Sequence, residues 1–100
     1  VGSCGVLVHN ACQPGSYEIK FASEKNYVGK GDAARMNTSG RRIARKYNDK
    51  IIEKVWEPAS SVKTAFVQEY IKQLTRGVNN SNTYNKIWSP GRKILYSLFK

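Results

Sequence analysis

At 100 residues the chain is long enough for one domain with one modest core. It carries 17 Lys and Arg against 7 Asp and Glu, a net charge of +10, and so large an excess points to a polyanionic partner, nucleic acid first, over an apolar or cationic one. No stretch approaches the ~18 apolar residues of a spanning helix, and no long helix reads as basic on one face and apolar on the other, so no membrane partner is expected.

The chain opens on a segment, residues 1–14, that reads as a linker: it is rich in small residues and ends at the turn signal Pro14-Gly15. Its two cysteines, Cys4 and Cys12, would close only a small loop if bridged, and the only histidine is His9. Neither a disulfide framework nor a structural zinc site is therefore expected, and the core suits a reducing compartment. Gly5-Val6-Leu7-Val8 is too short, and lacks the basic lead, for a signal peptide. Val6-Leu7-Val8-His9-Asn10-Ala11-Cys12 resembles the closing His-Asn motif of Hint (intein-like) self-cleaving domains. The resemblance implies that His9 and Asn10 belong to upstream processing, in which the Asn side chain cyclises on its own carbonyl. The plainer alternative is an ordinary linker.

From Gly15 the domain proper begins. Ser16–Phe21 alternates, with Tyr17, Ile19 and Phe21 on one face, which predicts a half-buried strand. A polar connection leads to Tyr27-Val28-Gly29, the second arm of a hairpin. Asp32 reads as the N-cap of a helix to about Tyr47, with Met36, Ile43, Ala44 and Tyr47 on one stripe and a possible interruption at Gly40. After the Asn48-Asp49 turn, Lys50–Glu57 reads as a third strand ended by Pro58. Ser60 or Ser61 caps the next helix, whose apolar row is Val62, Phe66, Tyr70 and Leu74, widened by Ala65 and stopped at Gly77. Residues 79–83 form a loop, and the tail predicts a short helix or strand packed on the sheet. The expected fold class is α+β: a small three-stranded, mainly antiparallel sheet flanked by helices.

Three features bear on chemistry. Glu69 sits beside the apolar residues of its helix, either as a border residue reaching water or as an oxygen ligand for a hard divalent cation. The other acids look like strand, edge or cap residues, so a two-metal carboxylate cluster is not expected. Tyr17 and Tyr27 on adjacent strands serve either packing or proton transfer, the latter if a cation lowers a phenol's pKa. Lys30 and Arg35 are the cations placed to do so, and Arg35 could clamp a phosphate with two donors. Gly29 and Gly31 let backbone approach a bulky anion. Arg41, Arg42, Arg45, Lys46, Lys50 and Lys54 supply salt-sensitive contacts with little sequence preference, with Arg92 and Lys93 as possible additions.

Taken in order, these residues resemble the GIY-YIG nuclease family over about Gly15 to Lys93. Gly15-Ser16-Tyr17 stands for GIY and Tyr27-Val28-Gly29 for YIG. Arg35 stands for the first-helix arginine, Glu69 for the metal-binding acid and Asn85, in Thr83-Tyr84-Asn85-Lys86, for the later asparagine. Ser16 replaces the usual Ile, and no histidine stands near the first helix, where Ser39 or a nearby Arg occupies the region. The resemblance implies a metal-dependent DNA endonuclease using one divalent cation, Mg²⁺ or Mn²⁺, on Glu69, with Tyr17, Tyr27, Lys30, Arg35 and Asn85 as its other active-site residues. With the Hint-like motif it implies a C-terminal toxin domain of a bacterial polymorphic toxin, secreted or delivered into a target-cell cytoplasm and restrained by an acidic immunity protein. The alternatives are a metal-independent ribonuclease toxin and a non-catalytic nucleic-acid-binding module.

Overall fold

A computed structural model describes residues 13–98; the cysteines and the His9-Asn10 motif lie outside the described residues. Among the described residues the elements run β1 (Gly15–Phe21), β2 (Asn26–Lys30), α1 (Ala33–Tyr47), β3 (Ile51–Pro58), α2 (Val62–Arg76) and α3 (Gly91–Ser97). The strands form one antiparallel sheet in the order β2-β1-β3. The α+β class read from the sequence is therefore the fold observed.

Strand β1 is central because its apolar alternation fills one face completely. Tyr17, Ile19 and Phe21 are buried together with Met36 and Ile43 of α1 and Tyr84 from the loop after α2. Helix α1 begins where Asp32 accepts the backbone N–H of Arg35 at 2.8 Å, and ends on Asn48 in the left-handed conformation. It continues unbroken through Gly40. A Cβ there would come within 3.1 Å of Ile51 and 3.2 Å of Ile19, so the glycine lets the helix sit down on the sheet and does not interrupt it.

Helix α2 covers the opposite face. Its Gln68 accepts from the Ser16 hydroxyl at 2.8 Å, and Lys72 reaches both Ser16 and the Glu57 carboxylate. Ser61, the second of the two candidates, is its N-cap. The apolar row read along it does not all turn inward: Val62 and Leu74 are exposed, while Ala65, Tyr70 and Gln73 are buried. Steps of four residues drift by about 40° each around a helix, so the ends of a strict four-residue row leave the face its middle buries.

The tail forms α3, packed on α2 and not on the sheet as one reading expected. Helix α2 already occupies that face, and Gly91 brings α3 in close: a Cβ there would overlap the Phe66 carbonyl. Tyr70 and Tyr96 join hydroxyls at 3.0 Å across the contact. The outer edge of β2 is also occupied. Thr83 bridges Asn26 in parallel, and its hydroxyl donates to the Asn26 carbonyl at 3.0 Å. Strand β3, with its exposed Glu53, Lys54 and Glu57, forms the other edge of the sheet.

Candidate active site

Tyr17 stands opposite Gly29 in the β1–β2 register, and Ile19 opposite Tyr27. The two tyrosines are thus diagonal neighbours on the α1 face. Tyr17 lies flat across Gly29: a Cβ at that glycine would fall 2.3 Å from the phenol oxygen. Gly29 therefore makes room for a side chain of its own sheet, correcting the expectation that it opens backbone to an anion. The Tyr17 hydroxyl donates to Ser39 Oγ at 2.9 Å, so Ser39 of α1 is its partner.

Burial pushes the Tyr17 phenol above its usual 10.0; Tyr27 and Glu69 act in the same direction, against the pull of Ser39 and Arg35. A lowered phenol pKa was the condition for proton transfer by this residue, and it is not met. Desolvation outweighs the cation here because Tyr17 is 2% exposed while Arg35 is solvated. Tyr17 is accordingly a neutral phenol at pH 7.

Glu69 comes from α2, on the far face of the sheet, yet it shares a cleft with Tyr27. The cleft, of about 350 Å³, opens where β2 ends the sheet and the two faces meet around its edge. Glu69 and Gln73 line it from α2, Tyr27 from β2, Arg42 and Lys46 from α1, and the segment from Tyr84 to Pro90 closes it. Burial pushes the Glu69 carboxyl above its usual 4.5, with Ser89 and Lys30 pulling it back. Among the described residues no Lys or Arg forms an ion pair with it. A half-buried, desolvated carboxylate facing a polar cleft fits one ligand of a hydrated divalent cation, which keeps several waters and needs few protein oxygens. No cluster of three or more His, Cys, Asp or Glu exists among the described residues, so Glu69 would act as the single side-chain acid.

The remaining residues divide by geometry. Positions 35, 39, 42 and 46 fall on one face of α1, so Arg35, Arg42 and Lys46 form a row of cations about 16 Å long beside Ser39. Arg42 lies 6.0 Å over the Tyr27 ring. Arg41 and Arg45 are exposed and do not line the cleft. Lys30 lies 4.6 Å over the Phe66 ring, next to Glu69 but outside the cleft lining. Asn85 lines the cleft but spends its side chain on β2: it accepts from Val28 N–H and donates to Val28 C=O, both at 2.8 Å. That pairing mimics a neighbouring strand and makes Asn85 a positioning residue.

Two contributors went unnoticed in the sequence. Gln73, 2% exposed, accepts from Ser89 N–H at 2.8 Å and donates to Ile87 C=O at 3.2 Å, and Ser89 Oγ donates to Phe66 C=O at 3.1 Å. Together they fix the closing segment. The available signal was that Gln73 lies four residues beyond Glu69, one turn along the same helix face. Comparisons with protein-family models, curated proteins and solved structures found nothing that matches this chain.

Proposed function

We propose that this chain is a metal-dependent endonuclease of the GIY-YIG type that hydrolyses DNA phosphodiester bonds with little sequence preference. The observation that carries the reading is the cleft at the β2 edge, which Tyr27 and Glu69 line together with Arg42 and Lys46, with Tyr17 the buried diagonal neighbour of Tyr27. Tyr27, Arg42 and Glu69 come from three elements far apart in sequence.

A divalent cation on Glu69, Mg²⁺ or Mn²⁺, would supply Lewis-acid stabilisation of the phosphate and the leaving oxygen. The chain's own groups do the rest. Tyr17 stays a neutral phenol whose hydroxyl donates to Ser39 Oγ, which fixes the ring behind Tyr27 and leaves its oxygen lone pairs free to accept from a water. As the water oxygen bonds to phosphorus, its proton passes to solvent, the bond from phosphorus to the departing oxygen breaks, and that oxygen takes a proton from solvent. Arg35, Lys30 and Tyr27 offset the charge that develops on the phosphate. Arg42 and Lys46 hold the flanking backbone, as phosphate contacts do, through charge and not through base identity.

With the Hint-like motif upstream, this activity suits the toxin domain of a polymorphic toxin delivered into a target cell. An acidic immunity protein covering the cationic row on α1 is the complementary partner. A second reading, a metal-independent ribonuclease, draws on the raised Glu69 carboxyl, which suits a general acid.

The test is incubation of purified protein with plasmid DNA and with total RNA, each with Mg²⁺ or with a chelator. DNA cleavage that the chelator stops is expected, and Glu69→Gln lowers it by about 10²-fold or more with binding retained. Cleavage of RNA that survives the chelator establishes the second reading instead. Substantial metal-dependent cleavage by Glu69→Gln overturns the assignment of that residue.

A further inference from the structure

We infer that the cleft receives an unpaired nucleotide with Trp88 as its stacking wall, so that the substrate is a single strand or a locally unpaired segment of nucleic acid. This deepens the nucleic-acid reading above and rests on it.

Phosphate contacts alone would need only cations around the cleft. Its lining instead interleaves cations with aromatic rings, which is how sites for unpaired bases are built: the charges follow the backbone while the rings take base faces. Arg42, Lys46 and Lys86 supply the charge, and Tyr27 and Trp88 are the partly exposed rings. Tyr47 and Tyr84 also line the cleft, but they stack on one another at 4.2 Å and Tyr84 is bonded to Asp49, so they serve as floor.

Trp88 is held as a prepared surface. Gln73 bonds the residue on either side of it, Tyr70 packs edge-on at 5.5 Å, and the Arg92 guanidinium lies over the ring at 5.6 Å from its centre, which leaves the partly exposed cleft side for a base. Its neighbour Ile87 is fixed outward at 77% exposure on the cleft wall. A fold gains no core burial by pinning an isoleucine there; an apolar contact beside a stacking ring suits a base that has left its helix. The volume of about 350 Å³ suits one nucleotide and cannot enclose a duplex. A paired base keeps both faces stacked on its neighbours and has none to offer Trp88.

The test is fluorescence anisotropy with Glu69→Gln protein in chelator at fixed salt. The probes are a short labelled DNA strand, the RNA of the same sequence and the DNA as a duplex. Single strands are expected to bind more tightly than the duplex, with the DNA and RNA arms identifying the preferred sugar. Adding Trp88→Ala should weaken single-strand binding by about ten-fold or more and leave duplex binding unchanged, while Trp88→Phe retains most of it. Ile87→Ser, at an exposed site that tolerates the change, should weaken the same arm should Trp88→Ala not fold. Duplex binding equal to or tighter than single-strand binding, or losses shared equally by both, overturns the proposal. Such a result alongside plasmid cleavage leaves the nuclease reading intact; the expected binding with no cleavage under any metal condition leaves this one intact and removes that one.

Discussion

Gly29 and Tyr17 form a matched pair: the ring occupies the space a Cβ would take, and the hydroxyl then reaches Ser39. Gly29→Ala forces the ring out of that seat. Overpacking of this kind costs about 1–3 kcal/mol, which denaturant unfolding should show as a lower midpoint with little change in slope. Displacing the ring also breaks the Ser39 bond, so under the proposed nuclease function the loss of cleavage should exceed what the stability change explains. The tyrosines, the glycine and Glu69 could be picked out in the sequence because their types and order stand out. Their individual states could not. Whether a phenol's pKa rises or falls depends on how desolvation compares with nearby charge, and both depend on atoms from other elements. The sequence offered Lys30 and Arg35 as cations for the phenols, and only the packing shows that burial prevails at Tyr17.

Element by element, the strands and helices were legible wherever periodicity and caps agreed. The alternation of Tyr17, Ile19 and Phe21, the Asp32 cap and the Gly77 stop all mark boundaries by local chemistry. The segment after α2 was not legible, because its structure is borrowed from neighbours. Thr83 and Asn85 close the β2 edge from outside with side-chain and bridge contacts, and Gln73 anchors the stretch from Ile87 to Ser89. Asn85→Ala leaves the buried Val28 N–H and C=O without partners. A loss of about 2–4 kcal/mol is expected from two such groups. Amide hydrogen exchange should locate it: β2 amides lose protection before those of β1 or α1. Uniform loss across the sheet would mean that Asn85 acts on the fold as a whole and not on this edge.

At the scale of the whole molecule, Asp49 joins three distant segments. Its carboxylate accepts from the Ser23 backbone and hydroxyl in the β1–β2 turn and from the Tyr84 hydroxyl beyond α2. Desolvation works to raise this carboxyl, but those hydrogen bonds and Lys25 together hold it below its usual 3.8. The unfolded chain then takes up the proton first as pH falls. The Asp49 contribution is complete above pH 3.8 and is lost as pH drops through the folded value. Thermal melts of the wild type should steepen in that acid range, and Asp49→Asn should flatten the change; an unaltered acid limb would place the loss in other carboxylates. The amino-acid sequence by itself determined the net charge, the kinds of element and the candidate residues, because charge, periodicity and residue chemistry are local or additive properties. Only the tertiary structure decided that Glu69, carried by the helix on the far face, meets Tyr27 around the rim of β2. That meeting depends on which strand ends the sheet and on how two helices flank it, and such long-range geometry arises from packing the whole chain at once.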